Sequence, residues 1–419
     1  MEKFIIEGTK PLYGEIEVGG SKNAALPILA ATLLGDTPSL LLNVPDLLDV
    51  ETMTCVLKSL GVQVEKQGSG TFLIDPRTLD KSDAPYELIR KMRASFLVIG
   101  PLISRLRKAQ VPLPGGCAIG SRPVDLHIKG FGHLGVHVHT HSGYIEAWAD
   151  RLHGGEVYLD FPSVGATENI MMLASAIEEE TTIANAAREP EIIDLARFLQ
   201  AMGADIQGAG TDTIIVNGTE KLRGCEYRII NDRIEAGTFC IMAAITRGEV
   251  VVKGVHPSLI LSITTKLEEV GARIERIGDQ AVLVAMQGRP WGTDIKTMPY
   301  PGFPTDMQAQ FMSLLSLADG VSMVTEAVFE SRFAHVGELE RMGANIKVEG
   351  RSAVVLGVEK LTGTQVTATD LRAGAALVIA GLAAEGVTEI CGVVHVNRGY
   401  ESLVSKLQTL GARIERVSE

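Results

Sequence analysis

Residues 268–276 read EEVGARIER, and residues 408–416 repeat the phrase as QTLGARIER. Four other segments share its pattern: KSLGVQVEK (58–66), GHLGVHVHT (132–140), QAMGADIQG (200–208) and ERMGANIKV (340–348). In each, the glycine suits the residue after a helix, where a positive φ is needed, and the alternation that follows predicts a strand. The glycines are Gly61, Gly135, Gly203, Gly271, Gly343 and Gly411, so the chain contains six repeats of about 70 residues.

A second helix is predicted once in each repeat. These segments are apolar over most of their circumference, which is typical of buried helices, and span 22–34, 94–103, 165–177, 235–246, 306–317 and 371–384. Each precedes a β-rich run, at 39–43, 109–113, 181–184, 249–252, 321–325 and 387–391. We therefore predict an α/β (α+β) fold. Its units could form one ring or two domains of three units, with buried central helices and outer sheets.

We favour two domains. The first would comprise residues 22–230, and the second residues 1–21 plus 231–419, so that the N-terminal strand completes the last repeat. The net charge of −12 disfavours a nucleic-acid or anionic-membrane binder, although a local cationic pocket remains compatible with it. The longest apolar runs are too short for membrane insertion. The five cysteines lack paired spacing and residues 1–8 lack a signal-peptide core, so we expect a cytoplasmic protein without a metal site.

One loop interrupts the repeat. From the β-run to the turn glycine, most repeats match in length, but the second is longer, and its extra residues fall in VPLPGGCAIGSRPVDLH (111–127). Prolines and glycines exclude regular structure here, and Arg122 could stabilise a Cys117 thiolate or bind an anion. An incidental surface cysteine is the alternative. The inserted length favours a functional loop, because insertions into a common scaffold often carry function.

Charged residues recur at the starts of the buried helices and in nearby loops. They are Lys22, Arg93, Arg122, Arg332, Arg372 and Arg398, and a helix start with a basic side chain is suited to anions. Any one of them could instead be a solvated side chain. His137, His139 and His141 share one strand face, as metal ligands would, but the repeat register places them on a polar outer face.

The motifs resemble the enolpyruvyl transferases that act on UDP-N-acetylglucosamine, over essentially the whole chain. They include SKNAALPI (21–28), LPGGCAIGSRPVDLH (113–127), SVGAT (163–167), FPTDMQAQ (303–310), TDLRA (369–373) and RGYE (398–401). The resemblance implies two inside-out α/β barrels with the active site in the cleft between them. It implies transfer of enolpyruvyl from phosphoenolpyruvate to the sugar 3′-hydroxyl, with release of phosphate, in the first committed step of peptidoglycan synthesis. No cofactor is implied, and the oligomeric state stays open.

The same resemblance implies roles for individual residues. Cys117 would be the general acid and Asp306 the base, with Lys22 and Arg398 completing the catalytic set. The residues implied for phosphoenolpyruvate are Lys22, Asn23, Cys117, Arg122 and Arg398. Those implied for the UDP-sugar are Asn23, Arg93, Arg122, Pro123, Val124, Asp125, Leu126, Ser163, Val164, Gly165, Asp306 and Val328. Further active-site charges would be Arg332, Asp370 and Arg372.

Two positions depart from the pattern. Phe161 and Leu97 stand where some members carry Lys and Trp, so their contacts with the UDP-sugar are in question. The retained Cys117 implies inactivation by the epoxide fosfomycin. The nearest alternative function is the shikimate-pathway enolpyruvyl transferase, which does not use a loop cysteine. A six-unit DNA clamp is a further alternative, but its inner helices would need to be basic, and here they are apolar.

Overall fold

A computed structural model describes residues 2–113 and 124–418. They divide into two compact units. We call residues 20–113 with 124–230 the middle unit, and residues 2–19 with 231–418 the split unit. Each unit has its own hydrophobic core and holds three of the six repeats.

Three central helices form the core of each unit. They are α1 (Lys22–Ala31), α4 (Ile99–Leu106) and α6 (Val164–Ala174) in the middle unit, and α8 (Arg233–Ile245), α10 (Gln308–Leu315) and α12 (Leu371–Ala383) in the split unit. Every residue of α8 is buried, as its predominantly apolar pattern predicts. Helices α4 and α10 follow 3-10 turns at Arg93–Val98 and Thr305–Met307. The six buried helices are therefore confirmed, two of them with a tighter first turn than expected.

A second, amphipathic helix in each repeat ends at the expected glycine. These helices are α2 (Leu48–Ser59), α5 (Asp125–His133), α7 (Pro190–Met202), α9 (Leu261–Glu269), α11 (Val336–Arg341) and α13 (Leu403–Thr409), and one extra helix, α3 (Tyr86–Lys91), lies in the second repeat. All six glycines have φ between +85° and +120°, a region that side chains with a Cβ rarely adopt. The glycine turns are therefore confirmed.

Small sheets cover the central helices. In the middle unit the strand orders are β13 (Glu226–Arg228), β3 (Ser39–Leu42), β5 (Thr71–Asp75), β4 (Gln63–Gly68); β6 (Lys108–Pro112), β8 (Tyr144–Trp148), β7 (His137–His141); and β11 (Asp205–Gln207), β12 (Thr213–Asn217), β10 (Thr181–Ala184), β9 (Gly155–Tyr158). In the split unit they are β15 (Arg273–Arg276), β16 (Ala281–Ala285), β14 (Glu249–Lys253), β2 (Tyr13–Glu17); β17 (Ile295–Lys296), β18 (Val321–Thr325), β20 (Ser352–Leu356), β19 (Asn345–Glu349); and β21 (Gln365–Thr367), β22 (Val387–Cys391), β1 (Glu2–Glu7), β23 (Arg413–Ser418).

The α/β class is confirmed, with helices inside and sheets outside, but the described sheets do not form the closed barrels that the resemblance implies. Across the described residues the sheets stay separate, with three or four strands each, and none closes on itself. In the split unit, β1 lies between β22 and β23 and pairs antiparallel with both. Residues from the two ends of the chain therefore share one sheet.

The three histidines of β7 line the outer side of their sheet. His137 and His139 are exposed, and His141 lies 3.3 Å from the Glu146 carboxylate on the neighbouring strand. No group of three metal-binding side chains occurs within residues 2–113 and 124–418. In that same part of the chain, every helix is too short or too polar to cross a membrane.

Candidate functional site

Part of the predicted site lies outside the described residues. Cys117, Arg122 and Pro123 fall in this gap, so their roles stay predictions. Strand β6 ends at Pro112 on one side of the gap, and α5 begins at Asp125 on the other. Val124 is buried against the core just before α5, Asp125 is exposed in its first turn, and Leu126 is half-buried.

In the middle unit, Lys22 is the first residue of α1. The Ser21 hydroxyl caps this helix by accepting a hydrogen bond from the Ala24 amide at 3.3 Å. The Lys22 Nζ lies 3.3 Å from an oxygen of Asp49, and both side chains are largely buried. Asp49 therefore orients the ammonium group at the helix N-terminus, where Asn23 follows.

The second helix start in this unit carries Ser163, Val164 and Gly165. The Ser163 hydroxyl accepts from the Ala166 amide, while the Ser163 amide donates to the Phe161 carbonyl at 2.7 Å. The Ser163 amide therefore already donates a hydrogen bond within the turn. Val164 and Gly165 are in the first turn of α6, whose amides lack an intrahelical acceptor. These two amides are the ones that suit an anion.

His127 packs against this helix start. Its ring lies 3.5 Å from where a Cβ would stand on Gly165, and its Nδ1 faces the Asn169 amide nitrogen at 3.2 Å. The Asn169 nitrogen can only donate, so Nδ1 accepts and the imidazole is neutral. Burial, helped by the charge of Arg93, lowers the pKa of His127 to about 3. A neutral ring thus supports α6 beside Arg93, which begins the 3-10 turn before α4.

In the split unit, Asp306 lies between two arginines. Arg332 Nη2 donates to one carboxylate oxygen at 2.6 Å, and Arg372 Nη2 donates to the other at 2.9 Å. Both arginine side chains are 6% exposed, whereas the Asp306 side chain is 25% exposed. Each oxygen therefore has a fixed donor, while the carboxylate itself still reaches solvent and could accept a proton from a bound hydroxyl.

Arg372 is held from its other side by Tyr400. Its Nη1 donates to the Tyr400 hydroxyl at 3.1 Å, and this hydroxyl also contacts the hydroxyl of Thr238 at 3.0 Å. Burial lowers the pKa of Arg372, but Asp306, Tyr400 and Asp232 together raise it more, so the net shift is upward. Burial likewise raises the pKa of Tyr400, against the opposing charge of Arg372. The arginine stays charged and the phenol stays protonated at neutral pH.

Glu326 joins three segments of the split unit. It is fully buried, and its Oε1 accepts from the Thr297 hydroxyl at 2.7 Å and from the amides of Val328 and Phe329 at 2.8 and 3.0 Å. Its Oε2 accepts from the Thr305 hydroxyl at 2.8 Å. The Thr305 oxygen in turn accepts from Arg332 Nη1 at 2.7 Å. This buried carboxylate therefore connects with the arginine that binds Asp306.

The remaining predicted residues have clear local positions. Asp370 caps α12 by accepting from the amides of Arg372 and Ala373 at 2.9 and 3.0 Å. Arg398 ends the 3-10 turn Val396–Arg398 and is half-buried. Because the Val328 amide donates to Glu326, only the carbonyl and the side chain of Val328 remain to contact a ligand. Of the two departing positions, Leu97 is 5% exposed and Phe161 is 43% exposed.

The structure brings Asp306, Arg332 and Arg372 together within the split unit, and their roles stay predictions. It also adds four residues that the sequence interpretation did not single out: Asp49, Thr305, Glu326 and Tyr400. Thr305 and Tyr400 lie inside the motifs FPTDMQAQ and RGYE, which is a usable signal. No local pattern marks Asp49 or Glu326, because each acts on a segment distant in sequence.

Comparison with known proteins gives one consistent result. The family model described as EPSP synthase (3-phosphoshikimate 1-carboxyvinyltransferase) matches residues 6–407. UDP-N-acetylglucosamine 1-carboxyvinyltransferase 2 from Carboxydothermus hydrogenoformans is 56% identical over the full length of both chains. The UDP-N-acetylglucosamine 1-carboxyvinyltransferase of Gloeobacter violaceus is 53% identical over 98% of this chain and 90% of its own.

A solved structure agrees in fold. The enolpyruvyl transferase NikO from Streptomyces tendae superposes with a TM-score of 0.89 at 25% identity, over 100% of this chain and 99% of its own. Its likeness covers the whole six-repeat architecture. On the strength of the full-length relatives and the family model, the chain belongs to the UDP-N-acetylglucosamine 1-carboxyvinyltransferases, a branch of the group that the EPSP synthase model describes.

Proposed function

We propose that the protein transfers the enolpyruvyl group of phosphoenolpyruvate to the 3′-hydroxyl of UDP-N-acetylglucosamine and releases phosphate. The observation that carries this proposal is the 56% identity, over the entire length of both chains, with a relative of that name. The Asp306 carboxylate fixed by Arg332 and Arg372 adds chemical support, since it can receive the hydroxyl proton.

The proposed reaction is an addition followed by an elimination. A proton adds to the phosphoenolpyruvate methylene carbon while the sugar oxygen bonds to the adjacent carbon, giving a tetrahedral ketal. Loss of a methyl proton then restores the double bond as the carbon–oxygen bond to phosphate breaks. We assign the general acid to Cys117 and the general base to Asp306, because the addition needs one group that donates a proton to the methylene carbon and one that accepts the proton of the sugar hydroxyl.

We assign phosphate and carboxylate binding to Lys22, Arg122 and Arg398. In support, Lys22 is oriented by Asp49 at a helix start, where amides and an ammonium group converge on an anion. Fixed cations stabilise charge that grows on the substrate oxygens, without reorganising during the reaction. We place the UDP-sugar diphosphate at the start of α6, where the Val164 and Gly165 amides lack helical acceptors.

The direct test is a phosphate-release assay with two acceptors. Phosphoenolpyruvate with UDP-N-acetylglucosamine should release phosphate, whereas phosphoenolpyruvate with shikimate 3-phosphate should not. Turnover with the shikimate substrate alone would instead favour the activity that names the family model. The full-length relatives support the UDP-sugar enzyme over this alternative.

Substitutions at Cys117 and Asp306 test the two assigned roles. Cys117→Ser should fold normally yet lose most phosphate release, while Cys117→Asp should keep activity, because a carboxylic acid can also donate the proton. Asp306→Ala should lower kcat by about 100-fold or more, the usual contribution of a general base. A wild-type rate for Asp306→Ala would remove the proposed base, and unchanged turnover for Cys117→Ser would remove the proposed acid.

We also propose that this reaction takes place in the cytoplasm. The four cysteines of the described residues, Cys55, Cys225, Cys240 and Cys391, are all free thiols, which supports a reducing compartment. Fractionation of the source cells with an antibody against the protein tests this location.

Fosfomycin should inactivate the wild-type enzyme and spare Cys117→Asp, since the carboxylic acid lacks the thiolate nucleophile.

A further inference from the structure

We propose that Glu326 is a positioning residue for the transfer reaction: through the Thr305 hydroxyl it fixes the Arg332 guanidinium that holds Asp306. This inference rests on the proposed function, because it concerns the orientation of the proposed base. Glu326 does not touch the Asp306 carboxylate. Its effect must pass through two other side chains.

The direction of each hydrogen bond follows from the chemistry of the groups. A carboxylate can only accept, so the single proton of the Thr305 hydroxyl must point to Glu326 Oε2, 2.8 Å away. The lone pairs of that hydroxyl are then left to accept from Arg332, which can only donate, at 2.7 Å. Glu326 therefore sets the polarity of Thr305, and Thr305 presents an acceptor to Arg332.

Arg332 uses both ends of its planar fork in this arrangement. One terminal nitrogen binds Thr305 and the other binds Asp306 Oδ1 at 2.6 Å. Because the guanidinium is rigid, fixing one nitrogen fixes the direction of the other. A hydroxyl that Glu326 orients thus helps to fix Arg332 and, through it, Oδ1 of Asp306, while Arg372 holds Oδ2. A carboxylate misplaced by about 1 Å would lose on the order of 100-fold in rate.

The chain supplies a matched control on the same carboxylate. Thr297 also donates its hydroxyl proton to Glu326, at 2.7 Å, but its oxygen accepts from the Ala327 amide and not from an arginine. Thr297→Val and Thr305→Val each remove one hydroxyl from Glu326 and keep the side-chain shape. Only Thr305→Val breaks the connection to Arg332. A difference between the two variants therefore reports positioning rather than general loss of buried hydrogen bonds.

The experiment measures kcat and KM by phosphate release for the wild type, both Val variants and Thr305→Ser. Thr305→Val should lower kcat by about 10- to 100-fold, with a smaller change in either KM. Thr297→Val should stay within about threefold of the wild-type kcat even if its melting temperature falls, and Thr305→Ser should restore kcat because it restores the hydroxyl.

A double variant tests whether Glu326 and Thr305 act as one unit. Glu326→Gln removes the charge while keeping the shape, and Glu326→Gln with Thr305→Val should be no slower than the slower single variant. Equal kcat for the two Val variants, an effect of Thr305→Val on KM alone, or failure of Thr305→Ser to restore kcat would overturn the inference. An inactive wild type would refute the proposed function instead, so the two failures are distinguishable.

Discussion

Lowering the pH from 7 to 5 should destabilise this protein through two buried neutral histidines. His127 lies in the middle unit and His335 in the split unit, where its Nε2 faces the Met312 sulfur at 3.2 Å. Burial lowers the pKa of His127 to about 3 and the pKa of His335 to about 4. For His335, the Asp370 carboxylate opposes this shift and Arg332 adds to it.

The size of the effect follows from proton linkage. A histidine in the unfolded chain has a pKa of about 6.5. At a pH between this pKa and the lower pKa of the folded state, the histidine is protonated in the unfolded chain but neutral in the native one. Stability therefore falls as the pH falls through this window. At pH 5 each histidine lies about 1.5 pH units below its unfolded pKa, which costs roughly 2 kcal/mol each, or about 4 kcal/mol together.

Urea unfolding at pH 7 and pH 5, monitored separately for each unit, would measure this loss. Asp194 acts in the opposite sense, because burial raises its pKa to about 6 and its protonation favours the folded state as the pH falls. The comparison must therefore be made between wild type and variant. His127→Gln and His335→Gln should each remove about 2 kcal/mol of the pH-dependent loss, whatever they cost at pH 7. A pH-dependent loss that is the same in wild type and both variants would refute the reasoning.

Three further stability predictions follow from single contacts, each measured by denaturant unfolding of the purified variant. Lys406→Met should lower the free energy of unfolding by about 3–5 kcal/mol, since it leaves the buried Glu235 carboxylate without the ammonium group that now lies 2.6 Å away. An unchanged denaturant midpoint would contradict this. Tyr400→Phe should cost about 1–3 kcal/mol by leaving Arg372 Nη1 without its acceptor, and a gain in stability would show that the hydroxyl is dispensable. Gly343→Ala should lower the free energy of unfolding by about 1 kcal/mol or more, because the backbone φ of +95° disfavours any residue with a Cβ. Steric clash is not the cause, since an added Cβ would meet no atom within 4 Å. A neutral result would mean that the turn relaxes.

The repeated parts of this fold could be predicted from sequence because their signals are local. A turn glycine needs positive φ whatever surrounds it, so six glycines in one register identify six helix ends. Likewise, a segment that is apolar over most of its circumference, such as α8, is stable only in a core. The same logic places Asp306 and Arg372 at helix starts, because a helix position is itself a local property.

The connections between segments could not be predicted in this way. Glu326, Thr305 and Thr297 lie on separate stretches of the split unit, and their sequence neighbours do not indicate which side chain faces which. Asp49 gives a second example, since its partner Lys22 is 27 residues away. The 3-10 geometry ahead of α4 and α10 was also missed, because it reflects packing of the first turn rather than composition.

The position of β1 has a consequence for the order of synthesis. Its residues leave the ribosome long before those of its two neighbours, β22 and β23, with which it pairs. The middle unit has all of its described residues by residue 230 and can pack during translation, whereas the sheet of β1 in the split unit must wait for β22 and β23.

Until those strands are made, β1 has no partner in its sheet, and the core that buries its apolar side chains Phe4 and Ile6 is incomplete. An unpaired strand can template aggregation, so we expect this risk to last until β22 and β23 are made. Lys3 and Glu7, which flank these apolar positions, form cross-strand ion pairs in the folded sheet, and flanking charges of this kind also oppose aggregation of an unpaired strand.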